Sequence, residues 1–228
     1  MRNGSMPFVT ASTVKVDILA CLLLQRQHSG GLTPRQKRLS SIMIRNSDNA
    51  AASLLWHEIG RGEGLRTCHR RLGLRQTEPG PGGHWGLTTT TVTDRLRLLT
   101  VLTQNKSPLQ EDSRRYVLEE MEHISLNQQW GASAAADRGT TYALKNGWLS
   151  RTSTKRWVVN SFGRITNDGR DVLVAALSDE QPTLAVGISR LEMAVRDGVS
   201  HRHRDKETPA HEPPLTPPLI PNLDLSTE

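Results

Sequence analysis

From Ser12 to Leu24 the chain carries two charges, Lys15 and Asp17, in a segment otherwise built from Thr13, Val14, Val16, Ile18, Leu19, Ala20, Cys21 and three further leucines. The apolar positions fall nearly all round a 3.6-residue period, which predicts a helix enclosed by protein rather than one lying on a surface. Ser12 then stands at a helix N-terminus inside a core. Residues three apart share a face, so the Lys15 amine reaches the Ser12 hydroxyl, and the unpaired N–H groups of the first turn favour negative charge developing there. Those are the conditions that make a serine nucleophilic. The plainer alternative is a Ser cap followed by a surface Lys, but Lys15 and Asp17 within an apolar helix both need partners once buried.

Arg2, the apolar residues after it and Cys21 together have the outline of a lipoprotein signal peptide. Lys15 and Asp17 break the apolar run that such a signal requires. No segment approaches the roughly 18 consecutive apolar residues of a membrane span. With 228 residues and 36% hydrophobic content the chain can bury one substantial core, and a monomer is expected. A net charge of +6 suits anionic polymers, carboxylate substrates or nucleic acid. The last is disfavoured because no concentrated Lys/Arg run is interleaved with aromatics. Cys21 and Cys68 are too few for a disulfide scaffold and lack zinc-site spacing, so they read as two buried thiols. No metal or cofactor is expected.

Ser29-Gly30-Gly31 ends the first helix. Thr33-Pro34 opens a second, with Thr as N-cap and Pro in the first position, running to Arg45. Ser47-Asp48-Asn49 interrupts it, Ala50 to Ile59 resumes it, and a turn over Gly60 to Gly64 leads to a short helix from Leu65 to Leu72. The Gly- and Pro-rich string from Glu78 to Gly83 is a loop. Thr88 to Asn105 and Asp112 to Glu122 are expected to be helical. The final third reads as strands over Tyr142 to Leu149, Arg156 to Ile165 and Asp171 to Leu177, the last two joined by the turn Asn167-Asp168-Gly169. An amphipathic helix follows over Thr183 to Val199. Residues 1–200 are thus expected to form one domain, with 201–228 a proline-rich disordered tail.

Three motifs stand in order along this pattern: Ser12-Thr13-Val14-Lys15, Ser47-Asp48-Asn49 and Lys145-Asn146-Gly147. Each alone is common. With the first opening a buried helix, the second between helices and the third on a strand, the chain resembles the class A β-lactamases and penicillin-binding proteins, whose signature is S-x-x-K, S-D-N and K-T-G. The likeness runs without a gap from Ser47 through Gly73, takes in Thr88-Thr89-Thr90, and can be carried from Gly4 to about Val199. Within that family the chain is most similar to actinobacterial serine hydrolases with a K-N-G-W variant.

The resemblance implies an α+β fold, with an antiparallel sheet flanked by helices and an all-helical lobe. It implies a serine hydrolase, without cofactor, that opens β-lactams or related acyl-D-alanyl amides through an acyl-enzyme on Ser12. A penicillin-binding DD-peptidase with slow deacylation and a non-catalytic binding module are the other readings. On this basis Ser12 is the nucleophile, Lys15 takes its proton, and Ser47 relays a proton to the leaving nitrogen. Asn49 would bond the substrate amide and orient Lys15. Lys145 would supply positive potential for a substrate carboxylate, and the backbone N–H groups of Ser12 and Trp148 would form the oxyanion hole. Gly147 would leave room for substrate along the strand, and Asp48 would be structural.

Three departures bear on these implications. Asn146 stands where the family has a hydroxyl residue, offering an amide that can bond a carboxylate with a different reach. The segment between Gly73 and Thr88 is shorter than the family's omega loop, yet Glu78-Pro79 copies its Glu-Pro pair. Glu78 is therefore a candidate for holding the deacylating water, with an exposed loop Glu as the alternative. Finally, the helix and two strands that the family places before S-x-x-K are missing ahead of Ser12. The strand Asp171 to Leu177 is accordingly expected to form an exposed apolar edge. Enzymes of this kind act outside the cytoplasm, so an exported protein is expected, although the chain shows no signal peptide.

Overall fold

The computed structural model describes residues 4–207. Helix α1 (Val14–Arg26) is the axis of a helical lobe, with Val14 through Leu24 all buried. Around it pack α2 (Pro34–Arg45), α3 (Asn49–Glu58), α4 (Arg61–Leu72) and, later in the chain, α6 (Glu111–Glu122). A helix apolar nearly all round is stable in water only when covered in this way. Local chemistry sets the helix starts. Thr33 and Gln36 form a reciprocal capping box with Pro34 in the first turn, and the Asp48 carboxylate accepts from the Ala51 N–H at 2.7 Å, satisfying donors that a helix start leaves unpaired.

Several expected boundaries move. The turn assigned to Gly60 through Gly64 shrinks to Gly60, whose φ of 91° lets α4 begin at Arg61. Gly64 lies inside α4 instead, and a Cβ there would stand 1.7 Å from the Ile59 carbonyl oxygen. The helix expected from Thr88 starts at Val92 as α5 (Val92–Thr103), capped by Thr91. The β-branched Thr89–Thr90 take up extended structure as β2 and pair antiparallel with β1 (Phe8–Val9).

The second lobe is an antiparallel sheet in the order β3 (Ala143–Ser150), β4 (Trp157–Asn167) and β5 (Arg170–Gln181). Asp168 and Gly169 make the β4–β5 turn with φ of 51° and 66°, the left-handed pair that a two-residue hairpin favours. Their N–H groups donate to the Asp137 carboxylate at 3.0 and 2.9 Å. One face of the sheet packs on α7 (Leu184–Glu207) through Leu144, Val159, Val172 and Val174 against Leu191, Val195 and Val199. The other face meets α5, α6 and the helical core through Ala143 and Phe162. β5 is the far edge strand among the described residues; Val172 and Val174 are buried, while Leu173 and Ala175 to Leu177 are half-buried, so the apolar edge expected there is partly covered.

Helix α7 passes the expected domain boundary and runs to Glu207, the last described residue. No proline occurs between Pro182 and Pro209 to stop it. Residues 201–207 thus belong to that helix and not to the tail, whose remaining residues, 208–228, lie outside the described residues.

A larger correction concerns the cysteines. Cys21 on α1 and Cys68 on α4 are joined in a disulfide, with Cα atoms 5.6 Å apart across 47 residues of sequence. Their spacing carries no trace of this, because the bridge follows from the packing of α1 on α4. Nearby, Asp17 finds the partners its burial requires: Arg95 donates twice, at 2.5 and 2.7 Å, and His69 Nε2 lies at 3.0 Å. Burial pushes this carboxyl upward, but the Arg95 charge and the hydrogen bonds from Arg95 and His69 outweigh it and hold the group at about 2.

Candidate active site

Ser12 sits in a 3-10 turn, Ala11–Thr13, that leads directly into α1. The turn is held from several sides. The Thr10 N–H donates to the Thr88 carbonyl at 2.7 Å, and the Asn160 side chain on β4 donates to the carbonyls of Val9 and Thr10. Ala11 has φ of 48° and Ser47 has φ of 57°. Both are non-glycine residues in the left-handed region, at a cost of about 1–3 kcal/mol each, which the surrounding contacts must offset.

At the centre lies the Lys15 amine, fully buried. Its Nζ is 3.0 Å from Ser12 Oγ, 3.1 Å from Ser47 Oγ, 2.6 Å from the Ser47 carbonyl oxygen and 2.8 Å from Asn49 Oδ1. The Trp85 ring covers it at 4.9 Å, while the indole N–H donates to Ser53 Oγ at 3.1 Å. On the other side of Ser47, Lys145 Nζ reaches the same hydroxyl at 3.0 Å. The four side chains form a continuous chain of contacts, Ser12 to Lys15 to Ser47 to Lys145. Burial lowers the Lys15 pKa to about 8, with Asp48 opposing. Lys145, deeper still, is pulled well below the usual lysine range by burial and then by the Lys15 charge.

Such an arrangement can move protons at neutral pH. A neutral Lys15 amine is placed to accept a proton from the Ser12 hydroxyl, and Ser47 stands where a proton can be passed onward. Ser12 and Ser47 are half-buried and Asn49 is exposed, so the cluster opens to solvent on that side.

Alternation along β3 divides the third motif. Lys145 and Gly147 face the Ser12 turn. Asn146, only 1% exposed, and Trp148 face away from it, toward the segment from Gln128 to Gly131. Gly147 does make room, but for protein: a Cβ there would lie 2.7 Å from the Ser12 and Thr13 amide nitrogens. Asn146 also differs from expectation. Its amide nitrogen donates to the Gln128 carbonyl at 2.7 Å and the Trp130 carbonyl at 3.1 Å, so both its hydrogens are already engaged.

Glu78 is not brought to this cluster. Its backbone pairs with Thr89 at 2.9 Å in both directions, its side chain is 65% exposed, and its carboxylate lies 3.6 Å from Arg66 Nε. The short loop after Gly73 is tethered to β2 at this residue, which turns the side chain to solvent and α4. Trp85, seven residues further on, packs over Lys15 instead. Sequence reasoning missed Trp85, Gln128 and Trp130. A tryptophan closing a Gly- and Pro-rich loop was a usable hint for the first. Nothing marked the other two.

Residues 31–194 match the profile of the Beta-lactamase enzyme family. The chain belongs to that family. The antiparallel sheet with its helical lobe is the family's fold. A class A β-lactamase from Mycobacterium abscessus has the same fold, with a TM-score of 0.74 and 22% identity over 88% of this chain and 87% of that one. PBP-A superposes with a TM-score of 0.73 and 21% identity over 88% of this chain and 83% of that one. A single-residue mutant of PBP-A, seen as an acyl-enzyme complex with penicillin G, gives 0.72 at 21% identity over 88% and 84%. No curated protein matches the sequence.

Proposed function

We propose that this family member is a serine acyl-transfer enzyme that attacks a β-lactam or an acyl-D-alanyl amide with Ser12 and deacylates slowly. One observation carries the reading: Lys15 Nζ is within hydrogen-bond reach of Ser12, Ser47 and Asn49 at once. In the first step the Ser12 Oγ bond to the acyl carbon forms and the C–N bond breaks. The Ser12 proton passes to Lys15, and the leaving nitrogen receives a proton by way of Ser47. Backbone N–H groups of Ser12 and Trp148 are the oxyanion donors assigned by family likeness. Water then cleaves the Ser12 ester and returns the proton.

Slow turnover is favoured over fast lactam hydrolysis because Glu78 faces solvent and Arg66, while Trp85 covers Lys15. The PBP-A mutant in complex with penicillin G gives a precedent for an acyl-enzyme on this fold. We also infer that the protein works outside the cytoplasm. The Cys21–Cys68 disulfide supports this, since such bonds persist in oxidising compartments.

Intact-mass measurement with benzylpenicillin tests the chemistry. The wild type should gain the mass of one penicillin and Ser12→Ala none. Labelling that persists in Ser12→Ala, or a correctly folded wild type that never labels, would overturn the proposal.

A further inference from the structure

Lys15 is fully buried, although Ser12 beside it is half-buried and the cluster opens to solvent there. Its amine is ringed by Ser12 Oγ, Ser47 Oγ, the Ser47 carbonyl oxygen and Asn49 Oδ1, at 2.6 to 3.1 Å. The Trp85 ring, 4.9 Å from Nζ, adds a cover of carbon that offers water no place beside the amine. This ring is held firmly. Its indole N–H donates to Ser53 Oγ on α3 at 3.1 Å, and its loop closes on itself like a strap. Glu78 and Thr89 pair backbone to backbone at 2.9 Å in both directions, and the Gly80 N–H reaches Thr88 Oγ1 at 3.3 Å. The strap is drawn so tight that a Cβ at Gly80 would stand 2.2 Å from the His84 carbonyl oxygen.

Cleaving an ester on Ser12 needs a base that can touch the attacking water. Among the described residues no carboxylate or imidazole is hydrogen-bonded to Ser12, Lys15 or Ser47, and Glu78 faces Arg66. Lys15, 3.0 Å from Ser12 Oγ, is the base at hand. It suits the first half-reaction because the Ser12 proton reaches it directly. Water has no such direct access, since the ring lies over the amine.

We propose that Trp85 is a positioning residue that sets the lifetime of the acyl-enzyme by keeping water off Lys15, the base for both half-reactions. The inference rests on the acyl-transfer reading above and names what limits its second step. In that step the water oxygen bonds the acyl carbon while a water proton passes to Lys15. The bond from the acyl carbon to Ser12 Oγ then breaks, and Lys15 returns the proton to Ser12 as the carboxylic acid leaves.

The test follows the decay of the acyl-enzyme itself. The full chain is labelled with benzylpenicillin, freed of excess reagent, and read by intact mass over time at roughly pH 7 to 10. Trp85→Ala should raise the limiting alkaline decay rate by about 10-fold or more, because Lys15 can then meet water. The pH at which decay levels off should also rise, since a hydrated amine returns toward the ordinary lysine range. Damage to a merely structural contact would slow the site and produce neither change. Trp85→Phe, which keeps an aromatic cover, should hold the decay rate within about 3-fold of wild type. Should Trp85→Ala fail to fold, Ser53→Ala decides: it lies at an exposed position, releases the indole N–H, and should speed decay by about 3-fold. Labelled Ser12 whose decay is no faster in Trp85→Ala, or in Ser53→Ala where that variant stands in, would overturn this inference and leave the acyl-transfer reading intact. A folded wild type in which benzylpenicillin never labels Ser12 would overturn both.

Discussion

Gly147 on β3 lies against the backbone of the Ser12 turn so closely that a side-chain carbon at residue 147 would stand 2.7 Å from the Ser12 amide nitrogen. The neighbour is rigid main chain, which cannot swing aside. Gly147→Ala should therefore push β3 off the nucleophile, slowing acylation by about 100-fold with a stability loss of about 1–3 kcal/mol from overpacking. Acylation kinetics beside urea denaturation separate the two effects. Wild-type kinetics in a stable Gly147→Ala protein would show that this contact does not position Ser12.

The Lys15 pKa, lowered by burial to about 8, gives a pH profile with a definite sign. The neutral amine is the base, and it accumulates as pH rises through 8. Acylation should increase about tenfold per pH unit below that value and level off above it. Lys15→Arg keeps the charge but accepts no proton, so it should abolish this limb and reduce the rate by about 100-fold or more. Stopped-flow acylation across roughly pH 6 to 10, read in buffers of constant ionic strength, measures both.

Glu78→Gln should change neither acylation nor deacylation, because its carboxylate is exposed and lies beside Arg66 rather than the reacting atoms. A nitrocefin trace should show a burst and then slow turnover in both proteins. A burst that becomes longer-lived only in Glu78→Gln would restore that residue to the mechanism.

Loss of the Cys21–Cys68 bond frees a 47-residue loop in the unfolded chain. On chain entropy the double Cys→Ser variant should lose about 4 kcal/mol. Denaturant midpoints of the oxidised wild type, the reduced wild type and the double variant check this. Identical midpoints in all three would mean that the bridge contributes nothing to stability.

Much of this fold is written locally. The apolar run after Ser12 could only be a covered helix, Thr33-Pro34 and Asp48 carry their own capping chemistry, and Asp168-Gly169 supplies the φ values its hairpin needs. Ser12 and Lys15 were legible as a pair because residues three apart share a helix face. What joined them to Ser47, 32 residues from Lys15, and to Lys145, 98 residues from Ser47, was tertiary packing of β3 and α3 on α1 and its leading turn. The disulfide, the Asp17–Arg95–His69 cluster and the outward turn of Glu78 depend likewise on which elements meet, which no local period encodes. Asn146 makes the point most sharply. Its side chain offered an amide in place of a hydroxyl, and only the fold decided that the Gln128 and Trp130 carbonyls would take both its hydrogens, since a buried donor must be satisfied by whatever acceptor packing brings within reach.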